Sequence, residues 1–198
     1  MSIQEGRGRV PPKPELVHIN RGELEWLKEE ADKRNAYRDY DRRSDVWGKG
    51  VVSNPTLTGM VGEFAFCRWF NGALSANPPL EIDTSKREYG DGGVDFRPYG
   101  VSVQVKTREK YYGRMLIRRE KGSGELLEFS WAACVQATWC PGDLVVGMDG
   151  WSRREWVLRH GRFETARKGD WKNIVVEDAD LVPMRDLAIK LATFRDYR

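Results

Sequence analysis

Residues 94–107, VDFRPYGVSVQVKT, alternate apolar and polar side chains on both sides of a Tyr99-Gly100 pair, which commits this part of the chain to a sheet. Strand side chains point to opposite faces in turn, and a period of two cannot line one face of a helix. With Tyr99-Gly100 as a two-residue loop, the tightest available, Asp95 is predicted to face Gln104, Arg97 to face Ser102, and Gly93 to face Lys106. Opposed residues share a face, so Asp95, Gln104 and Lys106 fall on one side. Val94, Phe96, Val101, Val103 and Val105 fall on the other. A half-buried hairpin with a wet face gives the same alternation, so the pattern alone leaves its purpose open.

Around this hairpin the chain predicts helices and further strands, an α/β class in the α+β sense. Asn20 with Glu23 forms a capping box, and Leu24, Leu27 and Ala31 mark one face of a charged helix running to about residue 40. GKGVVSN reads as a loop. Asn54-Pro55 starts a second, more apolar helix that Gly72 is expected to stop. The segment NPPLEIDTSKREYGDGG reads as irregular, with a short strand about residues 80–82. Strands are predicted at 115–117, 126–138, 144–148 and 156–158, and a last helix near Pro183. Residues 1–19, with Pro11, Pro12 and Pro14, read as a flexible arm; residues 20–198 read as one domain. Within it, 20–50 is a helical part, about 55–110 the core, and 111–198 the C-terminal strands and helix.

Composition narrows the function classes. A chain that is 40% hydrophobic and 32% charged is neither disordered nor fibrous, and no apolar run nears the roughly 18 residues that span a bilayer. The N-terminus lacks the apolar stretch of a signal peptide, so a cytoplasmic location is expected. Cys67, Cys134 and Cys140 are odd in number and widely spaced, which predicts free buried thiols rather than disulfides or a metal cluster. A net charge of +3 permits a polyanionic partner without demanding one.

Glu63 shifts the balance toward a site. Its neighbours at helical spacing are Gly59, Met60, Phe66 and Cys67, so its carboxylate sits within or beside the apolar stripe with no basic residue one turn away. A buried carboxylate is costly unless it is paired or holds a metal. Gly59 and Gly62 would let another backbone approach this helix closely. Glycines 90, 92 and 93 permit a bare, tightly turned backbone just before Asp95.

A carboxylate on a helix, then Asp95, then Gln104-Val-Lys106 on the next strand, resembles the PD-(D/E)XK nuclease superfamily, the restriction-endonuclease-like fold. DGGVD followed by VQVK is similar, more narrowly, to the Mrr-type endonucleases, in which glutamine stands at this position. GMVGEFAF is similar to the glutamate-bearing first helix of phage and archaeal members, including Holliday-junction resolvase relatives. The resemblance covers about residues 55–110. The proline of the family's name is absent, Val94 standing before Asp95.

The resemblance implies a central mixed sheet flanked by helices and a magnesium-dependent DNA endonuclease, with manganese able to substitute. It implies Asp95 as principal metal ligand, Glu63 as a second, Gln104 as a neutral oxygen ligand, and the backbone carbonyl of Val105 as a further one. Lys106 cannot ligate a cation; it would orient or help deprotonate the attacking water and stabilise charge on the phosphate. Lys110, Arg114, Arg118 and Arg119 around Tyr111 and Tyr112 offer phosphate and base contacts, and Arg108, Lys86 and Arg87 would flank the same groove. Duplex or branched DNA is the expected partner, and cutting both strands with one site per chain would favour a homodimer. The competing readings are a catalytically silent nuclease-fold protein that binds DNA or a protein, and an unrelated α+β binding module.

Overall fold

The computed structural model describes residues 10–37, 54–84, 94–109, 114–118, 131–165 and 172–196. Among them run β1 (Glu15–His18), α1 (Arg21–Tyr37), α2 (Pro55–Leu74), β2 (Val103–Arg108), β3 (Arg114–Arg118), β4 (Ala133–Trp139), β5 (Val145–Arg153), α3 (Arg154–His160), β6 (Arg162–Thr165), β7 (Lys172–Glu177) and α4 (Met184–Asp196). The class is α+β. A mixed four-stranded sheet has the order β1-β5-β4-β2, and a three-stranded antiparallel sheet the order β3-β7-β6. Among the described strands only β2 and β4 pair in parallel; β1-β5 and β4-β5 are antiparallel.

Three layers result. On one face of the four-stranded sheet, Val103, Val105, Val135 and Trp151 pack with Leu27 of α1, Phe66 of α2 and Leu187 of α4 in the main core. On the other face Cys134 joins Met115, Ile117, Ile174 and Val176 of the second sheet. Strand β4 is covered on both sides, which is why its run is buried almost throughout rather than alternating.

Local sequence sets the first two helices as expected. Asn20 and Glu23 exchange hydrogen bonds, the Asn20 amide donating to Glu23 Oε2 at 2.8 Å and the Glu23 amide to Asn20 Oδ1 at 2.9 Å. Asn54 Oδ1 accepts from the Leu57 amide, with Pro55 in the first turn. The second helix passes Gly72 and ends at Leu74, with Ser75 in the left-handed region (φ 47°), because Leu74 is itself buried in the core.

Four expectations are corrected. The arm ends earlier than residue 19: Glu15–His18 forms β1 against β5, a pairing supplied by residues 145–148. No strand forms at 80–82; Asn71 instead holds this segment, donating to the Leu80 carbonyl and accepting from its amide. Residues 156–158 lie in α3, whose Glu155 near the start and Arg159 and His160 in the last turn suit the helix dipole. Cys67 and Cys134 are buried, but Cys140 is exposed in the turn after β4. The arm's residues 1–9, most of GKGVVSN, and glycines 90, 92 and 93 lie outside the described residues.

Candidate functional site

Tyr99 and Gly100 both adopt positive φ, 48° and 79°, and Val101 donates back to the Pro98 carbonyl at 2.9 Å. Positive φ at both central positions is what a type I′ turn requires. The register that follows is the expected one, with Phe96 bridged to Val103. Among the described residues only this bridge forms, so Val94 and Asp95 are not in a strand, and Val94 packs into the second cluster instead of joining Phe96 in the main core.

The strand edge is irregular at Asp95. Both the Asp95 and Phe96 amides donate to the Val103 carbonyl, at 2.9 and 3.1 Å, two residues opposing one as at a β-bulge. Bulges re-aim side chains, and here the Asp95 carboxylate turns into the sheet edge: Oδ2 accepts the Val105 amide at 2.5 Å. In a strand a residue's N–H and C=O point to the same side, so the Val105 carbonyl faces this edge also, away from β4.

Gln104, Lys106 and Arg108 share the strand face opposite Val103 and Val105. Gln104 is 4% exposed, and its Oε1 accepts no hydrogen bond among the described residues. Lys106 is half-buried, and its backbone carbonyl accepts from Gln136 Nε2 at 2.9 Å. Gln136 sits where β4 and β5 shift register, and its side chain also bonds the Ala137 carbonyl.

Helix α2 crosses β2 in the reverse direction. Thr58 donates to Glu109 Oε1 at 2.9 Å, Gly62 faces Thr107, and Phe66 meets Phe96 at 5.3 Å between ring centroids. A Cβ on Gly62 would lie 1.8 Å from Thr107 Oγ1, so only glycine permits this approach. Glu63 follows directly. Its carboxylate, with a side chain 20% exposed, lies 3.8 Å from Arg34 Nη1 of α1, a partner that helical spacing within α2 could not disclose. Because α2 covers the Val103–Val105 face, Glu63 and the Gln104–Lys106 pair approach β2 from opposite faces, and the Asp95 edge is where those faces meet.

The structure thus joins Asp95 to Val105 directly and sets Gln104 and Lys106 beside them, while Glu63 is tied to α1. Two further residues bear on the strand: Glu109, legible as the acidic residue that follows β2, and Gln136, for which the sequence carried no signal.

The expected nucleic-acid contacts are revised. Arg108, 9% exposed, is a buried anchor: it donates to Thr138 Oγ1, to the Arg114 carbonyl, to Asp149 Oδ2 at 2.8 Å and to both oxygens of Asp178. A guanidinium spent on two carboxylates beneath the sheet is not available to DNA. Arg114 is bonded through Nη1 to both oxygens of Glu164. Lys86, Arg87, Lys110, Tyr111, Tyr112 and Arg119 lie outside the described residues. Burial pushes the Asp149 carboxyl above its ordinary pKa, against the opposing pull of Thr138 and Arg108.

Among the described residues no helix is long and apolar enough to cross a membrane. No protein-family model, no curated protein and no solved structure matches this chain.

Proposed function

We propose that the protein is a metal-dependent DNA endonuclease of the PD-(D/E)XK kind, hydrolysing phosphodiester bonds at the open edge of β2. One observation carries the reading: the buried Gln104 Oε1, with no donor among the described residues, lies on the strand whose edge holds the Asp95 carboxylate. Buried acceptors almost always find a donor, and one left bare on the residue next to Val105, whose amide Asp95 holds, supports a cation-binding oxygen set.

The residues fit a hard cation. Asp95, the Gln104 carboxamide oxygen and the Val105 carbonyl are all oxygen donors, and Glu63 would add a second carboxylate from α2. Among the described residues no three His, Cys, Asp or Glu side chains group as metal ligands. Magnesium commonly binds through one or two carboxylates, several waters and the substrate's own phosphate, so the proposed set would lean on amide and carbonyl oxygens beside Asp95. When bound, such an ion supplies charge neutralisation at the phosphate. The chain's own groups do the rest: Asp95 and Gln104 orient the phosphate-bearing assembly at the edge, and Lys106, held by Gln136 at its carbonyl, places a positive charge two residues along the same face for the attacking water.

A second reading, a nuclease-fold protein that binds DNA or a protein without cutting, draws on the Glu63–Arg34 pair, which engages one expected ligand elsewhere. The test incubates the chain with supercoiled plasmid, linear duplex, single strands, RNA and a four-way junction, with magnesium or manganese. Cleavage of DNA that Asp95→Ala and Lys106→Ala each abolish is the expected result. Cleavage unchanged in both variants would rule out this site; specific DNA binding without cleavage would favour the silent reading.

A further inference from the structure

Away from that edge, a groove of about 520 Å³ opens between α1, α2 and residues 80–84. Its aromatic wall is a corner: Trp26 of α1, 38% exposed, meets Phe64 of α2 at 6.2 Å between centroids with the rings inclined by 58°. Carboxylates Glu23 and Glu81 line it as well, with Arg68 as its cation. The Arg68 charge is already spent, on Glu23 at 2.6 Å and on the His18 carbonyl at 3.0 Å. Glu81 is exposed and has no ion pair among the described residues.

With Glu23 engaged by Arg68, Glu81 is the lining carboxylate that faces an incoming cation. The buried Cys67 thiol is pushed up, first by burial and then by the nearby Glu63 and Glu81 carboxylates. The third wall is fixed in advance, since Asn71 bonds the Leu80 backbone in both directions, so little ordering remains to be done on binding.

The geometry points to a docking site for a basic side chain of a partner protein segment, an arginine stacked in the Trp26–Phe64 corner and paired with Glu81. Guanidinium fits both demands, lying flat on an aromatic face while its N–H fork meets a carboxylate. A nucleobase could stack on the aromatic corner, but its phosphates would meet the Glu81 carboxylate, so the groove suits a cationic side chain better than a polyanion.

The test uses the full chain and two blocked pentapeptides, Gly-Gly-Arg-Gly-Gly and its citrulline counterpart, which keeps the shape and loses the charge. Binding is followed through the Trp26 indole N–H in proton–nitrogen spectra, assigned with Trp26→Phe, and by calorimetry. The arginine peptide is expected to shift that signal saturably, with the citrulline peptide at least about tenfold weaker. Glu81→Gln, an exposed change that leaves the fold intact, is expected to weaken the arginine peptide by a comparable factor and to remove most of its salt dependence. Equal binding of the two peptides, no saturable shift, or an unchanged affinity in Glu81→Gln would overturn the proposal. So would displacement of the arginine peptide from the Trp26 signal by a duplex oligonucleotide, since the groove would then be a nucleic-acid surface.

Discussion

Replacing Gln104 with methionine separates folding from function. The side chain is 4% exposed and its oxygen has no donor among the described residues, and a buried polar group left without a partner costs roughly 1–3 kcal/mol. Methionine is unbranched, of similar length and flexible enough to fill an irregular space, so the exchange removes that cost without opening a cavity. Without metal, Gln104→Met is expected to be more stable than the parent by about 1–2 kcal/mol, which for a domain of this size raises Tm by about 2–8 °C. Magnesium should then reverse the order of response: the parent gains stability in proportion to occupancy of its site, and the variant gains less or nothing. Urea and thermal unfolding, each with chelator and with saturating magnesium, read both arms. A variant less stable than the parent in chelator, together with a parent indifferent to magnesium, would refute the view that Gln104 Oε1 awaits a cation.

Gly62→Ala should destabilise by about 1–2 kcal/mol in urea unfolding, since overpacking against Thr107 outweighs the better helix propensity of alanine; a stabilised variant would contradict the close approach of α2 to β2. Arg108→Met leaves Asp149 and Asp178 buried without their counter-ion and should cost about 3–5 kcal/mol, while a loss confined to DNA affinity would show that the arginine is not an anchor. Asp149 has its folded pKa raised above 3.8, so the folded state holds the proton more tightly than the unfolded chain. Stability of the parent relative to Asp149→Asn should therefore fall as pH rises upward through 3.8, and a difference that grows over that range would show the opposite shift. Gln104→Glu keeps an oxygen ligand and adds charge, so DNA cleavage should persist with altered metal preference; normal DNA binding with complete inactivity would count against that role.

What the sequence disclosed were features whose cause is local. The Asn20–Glu23 capping box, the Asn54-Pro55 start and the Tyr99-Gly100 turn each close within a few residues, and each forms as read. Features with a distant cause were missed. Strand β1 exists because β5 lies open beside it some 130 positions away along the chain. Residues 156–158 spell a strand by composition, yet only Val157 of that helix is buried, so the apolar run was not a core face. Arg108 continues the polar alternation of Gln104 and Lys106 and reads as one more surface cation; its burial depends on Asp149 and Asp178, from other elements. Glu63 was read as a carboxylate without a partner because only its own helix was considered, and Arg34 arrives from α1.

Strand β2 shows how such a site can be tolerated. Its start is held by the Phe96–Val103 bridge and the Phe66–Phe96 contact, and its end by Arg108 on two carboxylates and Glu109 on Thr58. Between those anchors, the register shift between Gln136 and Ala137 makes room for Asp149 opposite them, the residue that receives Arg108. At that shift the Gln136 side chain ties β4 to β2 by donating to the Lys106 carbonyl. A strand fixed at both ends can carry an unpaired carboxamide oxygen in its middle and accept an aspartate re-aimed onto its edge, because relaxing either would disturb contacts that the two cores enforce. Strand β2 therefore carries an acceptor without a donor among the described residues between two well-anchored ends.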